Sequence, residues 1–191
     1  MTVVVLASGT GTLTKALIDA EHDGSLRAHL LAVVADRPAA VLGIAQAAGV
    51  ATAQVLASDF PTRLAWDAAM AEAVGSFNPD LVVSAGFMRL LGPAFLARWG
   101  AVTINTHPAL LPAFPGAHAV RDALAAGVAM TGCTVHKVTA EMDAGPILAQ
   151  TPVQVLAGDD EASLHERIKQ VERVQLVEVV NAIADGAIVL G

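Results

Sequence analysis

The chain has 191 residues, of which 54% are hydrophobic and 15% charged, so it can bury one sizeable core and is too apolar for a disordered chain. A formal net charge of −7 without any Lys/Arg cluster argues against a nucleic-acid-binding protein, although backbone amides can still hold an anionic substrate. No apolar run approaches the ~20 residues of a membrane span, and the N-terminus has the pattern of a strand rather than of a signal peptide. A single cysteine excludes an internal disulfide, which suits a reducing compartment. We therefore expect a cytoplasmic protein.

Short apolar runs alternate with helical stretches along the first half of the chain. The pattern predicts strands over residues 3–7, 30–34, 52–56, 81–84 and 102–105. It predicts helices over residues 12–20, 39–48 and 61–74, the last with an apolar face made of Leu64, Ala68, Ala71 and Val74. This βαβα order indicates an α/β fold with an open, mostly parallel, doubly wound (Rossmann-like) sheet.

The last third of the chain has a different pattern. A short helix over 120–126 precedes two strands near 131–138 and 146–155, which we expect to form an antiparallel extension of the sheet. A long C-terminal helix covers 160–184, and its N-terminus is capped either by Asp160 or by the pair Ser163 and Glu166. Its apolar stripe is predicted from spacing as Leu164, Ile168, Val171 and Val174.

The segment Ser8-Gly9-Thr10-Gly11-Thr12 lies between the first strand and the first helix. Glycines allow a sharp turn, and the free amides of a helix N-terminus attract a phosphate. The dinucleotide-binding fingerprint is incomplete, because position 14 is Thr rather than Gly or Ala. A phosphate site is therefore favoured over the alternative, a tight strand-to-helix turn that binds nothing.

A second motif, Asn105-Thr106-His107-Pro108-Ala109-Leu110-Leu111-Pro112, follows the fifth strand, where ligands of open α/β sheets bind. Asn105 and His107 are two residues apart, so on an extended segment they point to the same side. An amide and an imidazole that converge suit an oxyanion on a carbonyl under attack. The alternative is a strand-end turn with a structural histidine.

A third motif, Glu141-Met142-Asp143-Ala144-Gly145-Pro146, is a loop before a strand. Asp143 is either a turn former or a carboxylate that favours the protonated imidazole of His107. His136 is either a site residue or a core residue, while His22, His29 and His165 are expected on the surface. The histidines and the cysteine show no metal-binding spacing, so no metal is expected.

Together these motifs resemble the folate-dependent formyltransferase family, and most closely its glycinamide ribonucleotide transformylase branch. The most specific stretch runs from Asn105 to Gly116 and is joined by Asp143-Ala144-Gly145-Pro146. The resemblance implies one domain over 1–191, with a phosphate-binding half (1–100) and a catalytic and folate-loop half (101–191). It also implies two small-molecule substrates, phosphoribosylglycinamide and 10-formyltetrahydrofolate, and a monomer or a homodimer that binds neither nucleic acid nor membrane.

The resemblance further implies roles for individual residues. The catalytic residues would be Asn105, His107 and Asp143, with His136 as a possible support. The ribonucleotide would be bound by Gly11, Thr12, Leu13, Lys169, Gln170, Val171 and Glu172, with Glu172 on the ribose hydroxyls. From the residues alone, a solvent-exposed helix face is an equally good interpretation of Lys169, Gln170, Val171 and Glu172. The folate would be bound by Arg63, Met88, Arg89, Leu90, Leu91, Asn105, Thr139, Ala140, Glu141, Met142 and Asp143.

The mechanism that the resemblance implies is direct formyl transfer to the substrate amine, without a metal or a covalent enzyme intermediate. Two positions depart from the usual pattern of the family. Leu13 lacks the side-chain amide that is common at this position in the family, so that only backbone contacts to the phosphate would remain. Ala144 replaces a glycine, so the loop that carries Asp143 is expected to be stiffer.

Two other functions remain open from the sequence. A formyltetrahydrofolate hydrolase would use the same trio with water as the acceptor, but such relatives add an N-terminal regulatory domain, which we do not expect here. A nucleotide-binding regulatory module would explain the glycine loop and leave the trio without a role. The distance between Asp143 and His107 discriminates between catalysis and mere binding.

Overall fold

A seven-stranded sheet forms the centre of the protein. In the computed structural model, residues 1–190 are described. The strands are β1 (Thr2–Ala7), β2 (His29–Ala35), β3 (Ala51–Gln54), β4 (Leu81–Ser84), β5 (Thr103–His107), β6 (Met130–Lys137) and β7 (Ile147–Gln154). The helices are α1 (Thr12–His22), α2 (Ala40–Ala47), α3 (Arg63–Gly75), α4 (Pro93–Trp99), α5 (Ala119–Ala125) and α6 (Glu161–Ala184).

The strand order β3-β2-β1-β4-β5-β6-β7 confirms the predicted fold class. Strands β1 to β5 pair in parallel, whereas β6 and β7 are antiparallel. The chain moves outward from β1 to β3 and then crosses to β4 on the other side of β1. The crevice above this reversal, between the carboxyl ends of β1 and β4, is the usual ligand site of such sheets.

Alternate residues of the buried central strand β1 pack against different helices. Val3 and Val5 join Leu17 of α1 and Leu176 of α6 in one hydrophobic cluster, and Val4 joins a second cluster on the opposite face of the sheet. A strand covered on both faces has no polar side, which explains its continuous run of valines. Within residues 1–190, no helix is both long and apolar enough to cross a membrane.

The predicted apolar face of α3 is partly wrong. Leu64 is 61% exposed, whereas Trp66 and Met70 are fully buried. Trp66 also donates a hydrogen bond from Nε1 to the carbonyl oxygen of Val55. Burying these two large side chains outweighs burying Leu64, so the helix turns them toward the sheet.

The predicted stripe of α6 is right at its start and wrong further along. Leu164 and Ile168 are fully buried, but Val174 is 59% exposed. Glu172 and Gln175 are buried instead, since they continue the inward spacing of three and four residues. Asp160 caps the helix and forms a capping box with Ser163. Helix α4 was not anticipated, although Pro93 at its first turn is a common start signal.

Candidate active site

One cavity of about 500 Å³ opens at the carboxyl ends of β1, β4 and β5. Its volume is in the range of pockets that bind small molecules. Segments distant in sequence form its wall: residues 9–13, 84–91, 105–108, 116–120, 136, 138, 139 and 141–143, and the α6 residues Glu161, His165, Lys169 and Glu172. The two halves of the chain therefore meet at one site.

The structure brings Asp143 next to His107. Nδ1 of His107 lies 3.4 Å from Oδ2 of Asp143, and Nε2 lies 2.8 Å from the carbonyl oxygen of Phe114. A carbonyl can only accept a hydrogen bond, so Nε2 carries a proton. With a carboxylate at Nδ1, both ring nitrogens face hydrogen-bond acceptors. The histidine is 4% exposed, so this contact is shielded from water.

Asp143 is held in a constrained conformation by the loop around it. Its backbone φ is +53°, and its Oδ2 accepts a 2.7 Å hydrogen bond from the amide of Gly116. Interaction with the neighbouring His136 lowers the pKa of Asp143 below its usual value, and the Gly116 amide and the charge of His107 add to this against the opposing effect of burial. The carboxylate is therefore ionised at neutral pH.

Asn105 is oriented by partners on both neighbouring strands. Ser84, its partner on β4, donates from Oγ to Oδ1 of Asn105 at 2.7 Å. Nδ2 of Asn105 lies 3.2 Å from Nε2 of His136, its partner on β6. Nδ1 of His136 contacts the carbonyl oxygen of Lys137 at 2.8 Å and therefore carries a proton, while Nε2 faces both this amide and Oδ1 of Asp143, which is 3.6 Å away. This series of contacts leaves the second amide N–H of Asn105 available to a ligand.

The glycine loop ends at Gly11, the N-cap of α1, with φ +77°. A Cβ at Gly11 would lie 2.6 Å from Cγ2 of Val41, so both the backbone angle and the packing require glycine. No side chain caps the helix, and the first amides of a helix have no partner inside it. These amides border the same cavity as the Asn–His–Asp trio, as an anion-binding site requires.

Glu172 is a buried carboxyl group on the α6 side of the cavity. It is 4% exposed, and burial raises its pKa to about 7 against the lowering effect of the charges on Lys169 and Arg173. A carboxyl in such a place gains from hydroxyl donors of a ligand. Of the four α6 residues expected here, Lys169 and Glu172 line the cavity, whereas Gln170 is exposed and Val171 packs beside Leu164 and Ile168.

His165 corrects another expectation. It was expected on the surface, but it lines the cavity, and burial together with the charge of Lys169 lowers its pKa. Its spacing of four residues from Lys169 on the same helix could have indicated this shared face. Ser84 was also missed; its position as the last residue of β4, beside Asn105 of β5, was the available signal.

The segment Met88–Leu91 lies at the carboxyl end of β4 and has an apolar rim. Met88 is 66% exposed, Leu90 58% and Met142, on the opposite side of the cavity mouth, 54%. Exposed large apolar side chains around a cavity indicate a binding surface for a flat or apolar ligand. Thr139 and Glu141 also line this region, while Ala140 does not.

Arg63 lies outside the cavity lining but contacts it indirectly. Its guanidinium donates to the carbonyl oxygen of Leu90 and lies 4.5 Å from the ring centroid of Trp66. Among residues 1–190, no group of three or more His, Cys, Asp and Glu side chains is arranged to hold a metal ion.

Comparisons with known proteins agree with this geometry. The formyl transferase family model matches residues 1–180. A phosphoribosylglycinamide formyltransferase of Mycobacterium tuberculosis is 56% identical over 99% of this chain and 88% of that protein. The enzyme of the same name from Escherichia coli is 40% identical over 97% of this chain and 88% of that protein.

A solved structure gives the same result for the fold. The crystal structure of glycinamide ribonucleotide transformylase 1 from Symbiobacterium toebii matches with a TM-score of 0.95 and 41% identity, over 97% of this chain and 88% of that one. The resemblance to the glycinamide ribonucleotide transformylases is thus confirmed, and the chain belongs to the formyl transferase family.

Proposed function

We propose that this enzyme transfers the formyl group of 10-formyltetrahydrofolate to the glycinamide amine of phosphoribosylglycinamide, a step of purine synthesis. The observation that carries the proposal is the contact of 3.4 Å between His107 and Asp143 beside Asn105, inside a cavity that also contains the helix N-terminus at Gly11. A regulatory module that only binds nucleotides has no use for a carboxylate–imidazole pair shielded from water. The names of the relatives support phosphoribosylglycinamide as the formyl acceptor.

The two substrates are assigned to opposite sides of the cavity. The phosphate of the ribonucleotide would bind the amides of Gly11, Thr12 and Leu13, and its ribose hydroxyls would donate to Glu172. Lys169 lines the same side and adds a positive charge near the phosphate. The folate would lie along Met88–Leu91 and the loop of residues 139–143, where the exposed apolar rim suits an aromatic ring system.

The trio stabilises charge on the formyl oxygen. As the amine attacks the formyl carbon, the carbonyl oxygen becomes an oxyanion, which the free N–H of Asn105 and the Nε2–H of His107 would stabilise. In this structure that Nε2–H donates to the carbonyl oxygen of Phe114, so a bound formyl oxygen would share the proton with it or replace it. Asp143, 3.4 Å from Nδ1, would hold the imidazole in this orientation.

One proton moves during the reaction. The bond between the formyl carbon and N10 of the folate breaks when the tetrahedral intermediate collapses, so N10 gains the proton that the attacking amine loses. Asp143 is the carboxylate of the trio and is ionised, and a water molecule between it and the substrates would carry this proton. No covalent bond between substrate and protein forms in any of these steps.

An absorbance assay for tetrahydrofolate tests the proposal, with 10-formyltetrahydrofolate supplied in the presence and absence of phosphoribosylglycinamide. We expect product only with the ribonucleotide. His107→Ala should lower kcat by ~10²–10³, the usual effect of losing one oxyanion donor. His29→Ala is a matched control, because His29 is an exposed histidine on β2 that pairs with Glu21 away from the cavity.

Other results would overturn the proposal in different ways. Product without the ribonucleotide would indicate a hydrolase with water as the acceptor. No product under either condition, from protein whose circular dichroism shows it folded, would favour a binding module. Full activity of His107→Ala would refute the role of the imidazole and leave the reaction itself standing.

A further inference from the structure

Asp36 is a buried carboxylate outside the proposed catalytic trio. It follows β2 at the carboxyl edge of the sheet and is 2% exposed. Nη2 of Arg37 lies 2.8 Å from its Oδ2, and Nε of Arg89 lies 2.7 Å from the same oxygen. Burial alone would raise the pKa of Asp36, but the hydrogen bonds from Arg37, Ser8 and Arg89 outweigh it and lower the pKa. The group is therefore a charged anchor for two guanidiniums.

Ser8 connects this carboxylate to the backbone of the segment Met88–Leu91. Its Oγ accepts a 2.9 Å hydrogen bond from the amide of Met88, and its hydroxyl is one of the groups that lower the pKa of Asp36. Its own amide donates to the carbonyl oxygen of Gly86 at 3.2 Å. Asp36 thus acts on two consecutive residues, on Met88 through Ser8 and on Arg89 directly.

The place of Asp36 in the fold has another use in related architectures. In dinucleotide-binding sheets an acidic residue after the second strand accepts hydrogen bonds from a ribose. Here two arginines occupy the carboxylate, and Asp36 does not line the cavity. Asp36 is therefore not available to bind a ribose. Its contact with Arg89 connects it instead to the segment Met88–Leu91.

We propose that Asp36 is a positioning residue for the folate side of the site, because it fixes the Arg89 side chain directly and the Met88 amide through Ser8. The identity of the ligand rests on the proposed function; the positioning role itself does not require turnover. Arg89 is 35% exposed at its side chain and would sample many rotamers without an anchor. The buried carboxylate holds it at 5.7 Å from the ring centroid of Trp66, which stacks on Phe87, the residue before this segment.

Removing the charge should affect binding more than folding. Asp36→Asn keeps the shape of the side chain and takes away its attraction for two guanidiniums. Both arginines reach solvent, with side chains 44% and 35% exposed, so the variant leaves no buried cation without a partner. The other end of the segment stays fixed, since Asp67 still accepts from the amide of Gly92 at 2.6 Å.

Calorimetric titration of each ligand separately provides the test. For Asp36→Asn we expect the dissociation constant for tetrahydrofolate to rise about tenfold, as for the loss of one well-aligned charged contact. The dissociation constant for phosphoribosylglycinamide should stay within about twofold of the wild type. Asp19→Asn is the control: it also removes a carboxylate paired with a cation, Lys15, but on the exposed face of α1.

A second variant covers the case in which Asp36→Asn does not fold. Ser8→Ala leaves both arginine contacts in place and removes only the bridge to Met88, so it should weaken tetrahydrofolate binding and spare the ribonucleotide. Equal weakening of both ligands, or no change for tetrahydrofolate in a folded variant, would overturn the inference.

The titrations also separate this inference from the proposed function. Wild-type protein that binds tetrahydrofolate without catalysing transfer would refute the proposed reaction and leave the positioning role to be decided by the two variants. Wild-type protein that binds no tetrahydrofolate would refute both.

Discussion

The buried carboxyl of Glu172 predicts an unusual pH dependence of stability. In the folded protein its pKa is raised from 4.5 to about 7 by burial. Between these two values the folded state holds a proton that the unfolded chain has released, so stability falls as the pH rises. Glu172→Gln removes the titration while keeping the size of the side chain, so its stability relative to the wild type should rise with pH.

The size of the effect follows from the displaced pKa. A change from 4.5 to about 7 makes ionisation of the folded protein costlier by about 3 kcal/mol, at about 1.4 kcal/mol for each tenfold change in the equilibrium. The amide of the variant has its own burial cost, but that cost does not vary with pH. The quantity to compare is therefore the change with pH of the difference between variant and wild type.

Urea unfolding at a series of pH values measures this difference. Relative to the wild type, Glu172→Gln should gain about 2–3 kcal/mol between about pH 5 and about pH 9. Glu178→Gln is the control, because Glu178 is an exposed glutamate on the same helix. Parallel stability curves for the wild type and Glu172→Gln would show that the carboxyl ionises at its ordinary pKa, and would refute the reasoning.

Three further changes test the site and the core. Gly145→Ala would place a Cβ 1.8 Å from a backbone carbonyl oxygen and should displace the loop that holds the catalytic carboxylate, which a fall in kcat and in melting temperature would reveal; Gly43→Ala, with open space around it, should do neither. Ser84→Ala removes the hydroxyl that orients the Asn105 amide, so kcat should fall about tenfold while both KM values stay unchanged, and a change confined to KM would contradict this role. Leu164→Ala should lower the free energy of unfolding in urea by about 2–5 kcal/mol, whereas Val174→Ala, at a side chain that is 59% exposed, should lower it by less than about 0.5 kcal/mol. Equal losses would indicate that Val174 is buried, as its spacing predicted.

Local patterns determined the fold class and the position of most elements. Alternation of apolar runs with helical stretches gave the five parallel strands to within a few residues, since a buried strand must be apolar whatever lies around it. Asn105 and His107 could be paired from their spacing alone, because side chains on a strand alternate between faces. The glycine loop before α1 was equally local, as a left-handed backbone favours glycine.

Only the tertiary structure decided which distant groups meet. Asp143 reaches His107 because β6 pairs antiparallel with β5 and the loop after β6 brings the carboxylate to the imidazole, an arrangement that depends on packing. The inward face of α6 could not be predicted from its valines, because two of its buried positions carry Glu172 and Gln175 in an otherwise apolar row. The contact between Asp36 and Arg89 joins the ends of two strands that are not adjacent in the chain. The periodicity of apolar residues indicates which side of an element is buried on average. A functional site consists of the exceptions, positions at which polar groups are buried.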